Sequence, residues 1–449
     1  MFLLAIDWTS IATKTGQFIL SFSILVVLHE LGHFIPARIF KCRVEKFYLF
    51  FNPWFSLWKK KIGETEYGFG WVPFGGYVKI SGMIDESMDK EQLKLPPQPY
   101  EFRAKKAWQR LIIMIGGVVV NVLLAILIFI GIMWKWGEEY LPAKNLKYGV
   151  YADSLAKSIG VKDGDKIIGV GGKTLENFNT LEGEMMLNEA KTLEITRDGK
   201  DTVIKIPDGF IKKLSKNHQL NAFVFPRYQA VIDSVLKQNA VFTNGSLQKG
   251  DTLIAVNGIR FQYLNEWLPL KKQFKDSLVE FTAIRGNDTM HVKYLMKSNT
   301  VGMMFQDPEQ ILGSVVKTYS FTEAIPAGFH KCFQTLDRYI TGLKQLFTGK
   351  VNASDSLGSV ISIGNTFPSV WDWERFWTLT AIFSIILAFM NILPIPALDG
   401  GHALFCIVEI ITGRKPSDKF MEYAQMVGMI LLLSLMAYAL GLDFWRLFK

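Results

Sequence analysis

Four apolar runs dominate this chain: roughly Phe18 to Phe40, Trp108 to Trp136, Phe376 to Leu398 and Met421 to Leu440. A helix that crosses the hydrocarbon core of a bilayer needs about 20 residues. No water is available there, so every backbone N–H and C=O must be satisfied inside the segment, and runs of this kind are read as transmembrane helices. Trp134 and Trp136 close the second run, and Phe444 and Trp445 follow the fourth, where aromatic side chains anchor at an interface. The predicted fold class is a multi-pass α-helical membrane protein of about four spans. Met1 to Ser10 lacks a basic leader region and a small-residue cleavage site, so the first run is expected to stay in the mature protein.

Charge orients these spans. The segment between the first two is rich in Lys and Arg, including Arg38, Lys41, Lys59, Lys60, Lys61 and Arg110. The short link between the last two carries Arg414, Lys415 and Lys419, whereas only Lys14 precedes the first. Basic loops stay on the cytoplasmic side, so both termini and the central region are expected outside it. The net charge of +9 is accounted for by these flanks, and no nucleic-acid partner is expected. Cys42, Cys332 and Cys406 are far apart and form neither a disulfide framework nor a metal-type spacing.

The central region, roughly Gly137 to Ser320, is soluble in composition and holds a repeat. Ala152 to Gly172 and Val241 to Gly258 each contain Gly-Asp, an alternating strand and a turn ending in Gly. Strand–turn–strand signals follow each: Leu193 to Ile206 about Asp198-Gly199, and Val279 to Tyr294 about Gly286-Asn287. A spacing of about 90 residues predicts two copies of one small β-rich domain. Beyond it, Phe329, Phe333, Leu336, Ile340, Leu343 and Phe347 line one helix face within Pro326 to Lys350. That helix is expected either on a membrane surface or packed on its neighbouring domain.

The chemistry sits in the first span. His29-Glu30-Leu31-Gly32-His33 is a H-E-x-x-H pattern, and on a helix both imidazoles face one ion, with Glu30 one step round. Such ionisable groups are costly within an apolar span, which favours a zinc site over a polar cluster that holds helices together. A catalytic zinc needs a third protein ligand and an open position. The third run ends in Asn391-Ile-Leu-Pro-Ile-Pro-Ala-Leu-Asp399-Gly-Gly-His402, where Pro394 and Pro396 break the helix. Asp399 is the expected third ligand and His402 its rival. If both joined, the site would be closed and structural, as in a membrane scaffold. A metal transporter would carry ionisable residues in several spans, and the second and fourth are almost bare of them. Asn391 is expected to orient substrate or to hydrogen-bond between helices.

A peptide in a regular helix has its carbonyls occupied, so a substrate must be extended locally. The segment Glu66 to Ile80 is aromatic, β-prone and rich in Gly, and an edge strand there could add the substrate as another strand. The alternative is an amphipathic hairpin lying on the membrane.

Together these residues resemble the site-2 protease family of intramembrane metalloproteases, in its bacterial RseP-like branch. The likeness rests on His29 to His33, Pro73-Phe-Gly-Gly-Tyr-Val-Lys79, Asn121, and Asn391 to Gly401 with Asp399, in the family's order. It implies that His29, His33 and Asp399 bind Zn2+ and that Glu30 is the catalytic acid/base. Gly75, Gly76 and Tyr77 would position substrate on a membrane-reentrant β-hairpin. The implied domains are 1–136 (two spans with a cytoplasmic reentrant loop, 38–107), PDZ-like modules at 137–220 and 221–320, an amphipathic helix and linker at 321–375, and two spans at 376–449. The implied substrates are single-span membrane proteins already trimmed outside, such as anti-sigma factors, or signal-peptide remnants. The setting would be the bilayer of a bacterial inner membrane, with the PDZ-like modules extracytoplasmic as a size filter. Oligomeric state is left open.

Overall fold

The computed structural model describes residues 7–83, 96–218, 223–235, 241–274, 277–296, 303–352 and 358–447. The module boundary expected at 220/221 lies outside them. The chain divides into two units. Residues 1–137, 318–343 and 356–449 form one, and residues 138–317 and 344–355 form the other.

The first unit contains α1 (Trp8–Ile39), α2 (Ala107–Lys135), α3 (Phe321–Phe347, shared with the second unit at its end), α4 (Val360–Asn365), α5 (Trp373–Ile392), α6 (Asp399–Thr412) and α7 (Asp418–Leu447). Among the described residues α1, α2, α5 and α7 are long and apolar enough to cross a membrane. Side-chain caps set two starts: Asp7 accepts from the Ser10 N–H at 3.1 Å and Asp372 from the Arg375 N–H at 3.0 Å. The third run was expected to continue to Leu398, but α5 stops at Ile392. Leu393 precedes Pro394 and is pushed to an extended conformation. The rest of that run, Leu393 to Leu398, turns and leads into α6, which ends at Gly413 in the left-handed region, φ 69°.

Small and hydroxyl residues set how the spans meet. Gly32 of α1 lies against Gly116 of α2 so closely that a Cβ on either would strike the other's backbone. The Ser21 and Thr380 hydroxyls meet at 2.9 Å between α1 and α5, and the Ser384 hydroxyl donates to the Asn121 carbonyl at 2.7 Å between α5 and α2. The amphipathic helix expected from Pro326 begins earlier, at Phe321, because Glu323 accepts from the Ser320 N–H and hydroxyl. Its Ala324 and Cys332 are buried with Ile132, Met133, Ala381 and Ile385, so it packs along α2 and α5.

Between α1 and α2 the chain forms a sheet of β1 (Val44–Phe51), β2 (Trp58–Ile62), β3 (Thr65–Phe69) and β4 (Val72–Ile80), in the order β2-β3-β1-β4. An edge strand was expected within 66–80, and a hairpin was the alternative and what the resemblance implied. In place of a hairpin, β3 pairs parallel to β1 and β4 pairs antiparallel to it on its other side. Burial explains this: β1 carries the enclosed Val44, Tyr48 and Phe50 and takes an inner position. Gly70 lets the chain cross the end of β1, where a Cβ would meet the Phe50 and Phe51 carbonyls. As a result β4 is an edge strand.

The second unit holds two β-rich modules, each with its own core. One core gathers Leu146, Ile167, Leu193, Ile195 and Phe223 beside an antiparallel sheet ordered 200–205, 192–197, 166–170, 173–174. The other gathers Trp267, Phe281, Val292 and Tyr294, with strand 278–285 paired to 288–295 and to 252–256. Among the described residues neither sheet closes into a barrel.

Candidate active site

The α1 turn puts His29 and His33 on one face, both buried, with ring centroids 4.9 Å apart. Their Nε2 atoms are 3.3 Å apart. Asp399 is the first residue of α6, and its Oδ2 lies 3.2 Å from His29 Nε2 and 3.3 Å from His33 Nε2. Gly400 and Gly401 allow this approach, because a Cβ on either would strike the carbonyls of Ile392 to Ile395.

Three observations show that these residues suit a zinc ion. Tetrahedral zinc with bonds of about 2.0–2.1 Å spaces its ligands about 3.3–3.4 Å apart, which the three sides of this triangle match. Asp399 Oδ2 is buried and, although close to both imidazoles, makes no hydrogen bond. His33 Nδ1 sits 2.9 Å from the Ile113 carbonyl, which accepts its proton and leaves the Nε2 lone pair facing the triangle. His29, His33 and Asp399 form the one metal-type cluster among the described residues, and His402 is not part of it.

Other residues surround this cluster. The Asn121 amide lies 3.2 Å from His29 Nδ1, and the Asn391 amide nitrogen 3.2 Å from His29 Nε2. Gly117 of α2 gives the imidazoles room: a Cβ there would sit 2.5 Å from His33 Nε2 and 2.6 Å from His29 Cε1. A cavity of about 530 Å³ opens onto the cluster, lined by Glu30, Gly76, Val78, Asp399, His402 and Gln425 among others. Gly76 lets the backbone of β4 lie close to α1 and β1, since a Cβ there would sit 2.7 Å from Val26 Cγ1 and 2.6 Å from the Tyr48 carbonyl oxygen. Gly75 has φ 145°, a conformation open to glycine alone. The Tyr77 hydroxyl donates to Asn52 Oδ1 at 2.9 Å, and its ring stacks on Tyr48. Tyr77 therefore braces the strand it belongs to.

His29, Glu30, His33, Gly76, Tyr77 and Asp399 line one cavity, Asn391 lies beside His29, and Gly75 adjoins Gly76 on β4. Sequence reasoning did not single out Gly117, the Ile113 carbonyl or Gln425. A glycine's room and a carbonyl's direction have no local pattern, while a lone glutamine in an apolar span was a signal open to notice.

A family model described as peptidase family M50 matches residues 17–435. The chain belongs to peptidase family M50. It is 26% identical to the regulator of sigma-E protease RseP of Escherichia coli, over 96% of this chain and 98% of that protein. It is 28% identical, over 96% and 98%, to a Rickettsia conorii protein named as a zinc metalloprotease. Likeness to the RseP of Salmonella typhimurium is 26% over 98% of this chain and all of that one. As an M50 peptidase with four membrane-type helices, this chain is an intramembrane zinc metalloprotease.

Proposed function

We propose that this M50 peptidase cuts the membrane-spanning segments of single-span proteins within a bacterial inner membrane, as a step of regulated intramembrane proteolysis. Anti-sigma factors and signal-peptide remnants are the substrate classes. The observation that carries the reading is the triangle of His29, His33 and Asp399 in a cavity bordered by Glu30 and an edge strand. The name of the RseP relatives, regulators of sigma-E, supports the anti-sigma substrates.

His29, His33 and Asp399 would hold the metal. Zinc in such a site supplies a Lewis acid and lowers the pKa of water toward about 7. Glu30 takes the proton of the attacking water and returns it to the leaving amine. Asn391 lies beside the cluster on α5 and orients the substrate there. Strand β4, through Gly75 and Gly76, pairs with the substrate, which must unwind to be cut. Tyr77 keeps that strand rigid from its stack on Tyr48. The two β modules are read as PDZ-like and extracytoplasmic, where their bulk excludes untrimmed proteins. Both termini lie on the same side, in keeping with the basic loops at 41–61 and 414–419.

The deciding test uses purified protein and a model transmembrane peptide. Glu30→Gln should lower cleavage by about a hundredfold or more while its zinc content equals that of the unaltered chain. Undiminished cleavage by that variant would overturn the mechanism.

A further inference from the structure

The catalytic cavity has a polar wall that the mechanism above leaves unused. Gln425 of α7 lines the cavity across which His29, Glu30, Asp399 and β4 are also arrayed. It is 6% exposed, and its Oε1 is buried without a hydrogen-bond partner among the described residues. A buried amide oxygen left unpaired is costly, so its persistence calls for a partner supplied from elsewhere. The helix that carries it is also held in place. Gly428, one helical turn further along the same face, lies in backbone contact with Pro396, where any Cβ would strike the proline carbonyl. The turn that ends in Asp399 and the helix that carries Gln425 are thus seated directly on one another.

Strand geometry says what the partner is. A peptide added to the free edge of β4 turns alternate backbone groups toward the sheet and the others away from it. Those facing away lose bulk water when the peptide fills the cavity and need acceptors and donors on the opposite wall. We propose that Gln425 Oε1 accepts a backbone N–H from the outward edge of the extended substrate, so that α7 and β4 clamp the peptide between them. The inference rests on the protease reading of this site and adds a substrate-binding residue to it. Because the contact is to the backbone, it serves many sequences but only an unwound one. A segment that stays helical keeps its N–H groups in its own ladder and gains nothing from Gln425.

The test separates this contact from general packing. Peptide affinity is measured in the full-length Glu30→Gln chain, with and without Gln425→Met, against a series of peptides in which one N–H at a time is replaced by an ester oxygen. Gln425→Met should weaken binding about five- to tenfold. One ester position should cost a similar factor when Gln425 is present and nothing further when it is Met. Gln425→Glu, which keeps an acceptor, should retain affinity. Zinc content and melting temperature check that each variant folds. Unchanged affinity in Gln425→Met, or losses that multiply at every ester position, would overturn the proposal. Cleavage by the chain with Glu30 intact is followed in parallel. Its absence would sink the protease reading while leaving the affinity result to judge Gln425.

Discussion

A buried imidazole pair needs room as well as a charge partner, and here a missing side chain supplies it. Gly117 faces His29 and His33, and a single methyl there would overlap both rings. Gly131 of the same helix has open space around its Cβ position. Gly117→Ala should therefore lower zinc retention and cleavage together, by about tenfold or more, while Gly131→Ala leaves both unchanged. Metal analysis of the two purified variants, beside a peptide cleavage assay, checks this. Equal zinc in both would show that the rings can swing away from α2. His29-Glu30-x-x-His33 was legible because its geometry is local: residues four apart on a helix face one way whatever surrounds them. Asp399 was legible for another reason, since Pro394 and Pro396 announce broken backbone beside a carboxylate. Nothing comparable marks Gly117, whose part depends on α1 lying opposite.

Elements hold the site by a few contacts that cross long stretches of sequence. Arg110 of α2 donates to Glu409 of α6 at 2.5 Å, with the arginine almost fully enclosed. This pair ties the helix that begins with Asp399 to the helix that carries Gly117. Removing one partner leaves a charge enclosed without compensation, which typically costs about 3–5 kcal/mol. Glu409→Ala should lower the melting temperature and zinc retention, and the paired apolar replacement Arg110→Met with Glu409→Leu should recover most of both. A double variant as unstable as the single one would show that the charges themselves are required. Strand β4 makes a different prediction. Gly76→Val would push against Val26 and the Tyr48 carbonyl, displacing the edge from Glu30 without touching a ligand. Cleavage should fall by about tenfold or more with zinc unchanged, as measured on the same preparation. The spans were readable from run length alone. The order of the sheet was not, because the parallel pairing of β1 with β3 follows from enclosure of Tyr48 and Phe50, which a linear pattern does not show. Helix α6 was hidden for a related reason: it opens on Asp399-Gly-Gly-His402, which reads as a turn after the two prolines rather than as the start of a helix.

At the scale of the whole molecule, the repeat seen in the sequence has a physical signature inside the second unit. Asp165 accepts from Arg197 Nε and Nη2 at 2.8 and 2.7 Å, and from the Lys162 N–H at 2.7 Å. Asp251 accepts from Arg285 Nε and Nη2 at 2.7 Å each, and from the Gln248 N–H at 2.7 Å. Each arginine also donates to a backbone carbonyl, Gly160 in one module and Ser246 in the other. The same brace therefore closes the Gly-Asp turn onto the sheet twice. The Gly-Asp dipeptides were visible in the sequence, but their arginine partners lie over thirty residues away and were not. The brace also sets a response to acid. Burial pushes the Asp251 carboxyl up, but the paired Arg285 bonds and the Gln248 N–H outweigh it and hold the group below the ordinary carboxylate range. A carboxylate whose pKa is lower folded than unfolded stabilises the fold above the unfolded value, near about 3.9, and that stabilisation is lost as pH falls through the lower folded value. Amide exchange in strand 278–285 of the full-length protein, corrected for intrinsic rate, should thus be slow at neutral pH and quicken below about pH 4. Asp251→Asn keeps the shape but loses the charge, so its exchange should be faster at neutral pH and change little on acidification. A strand that opened with the same acid dependence in that variant would place the sensitivity in another carboxylate of the module.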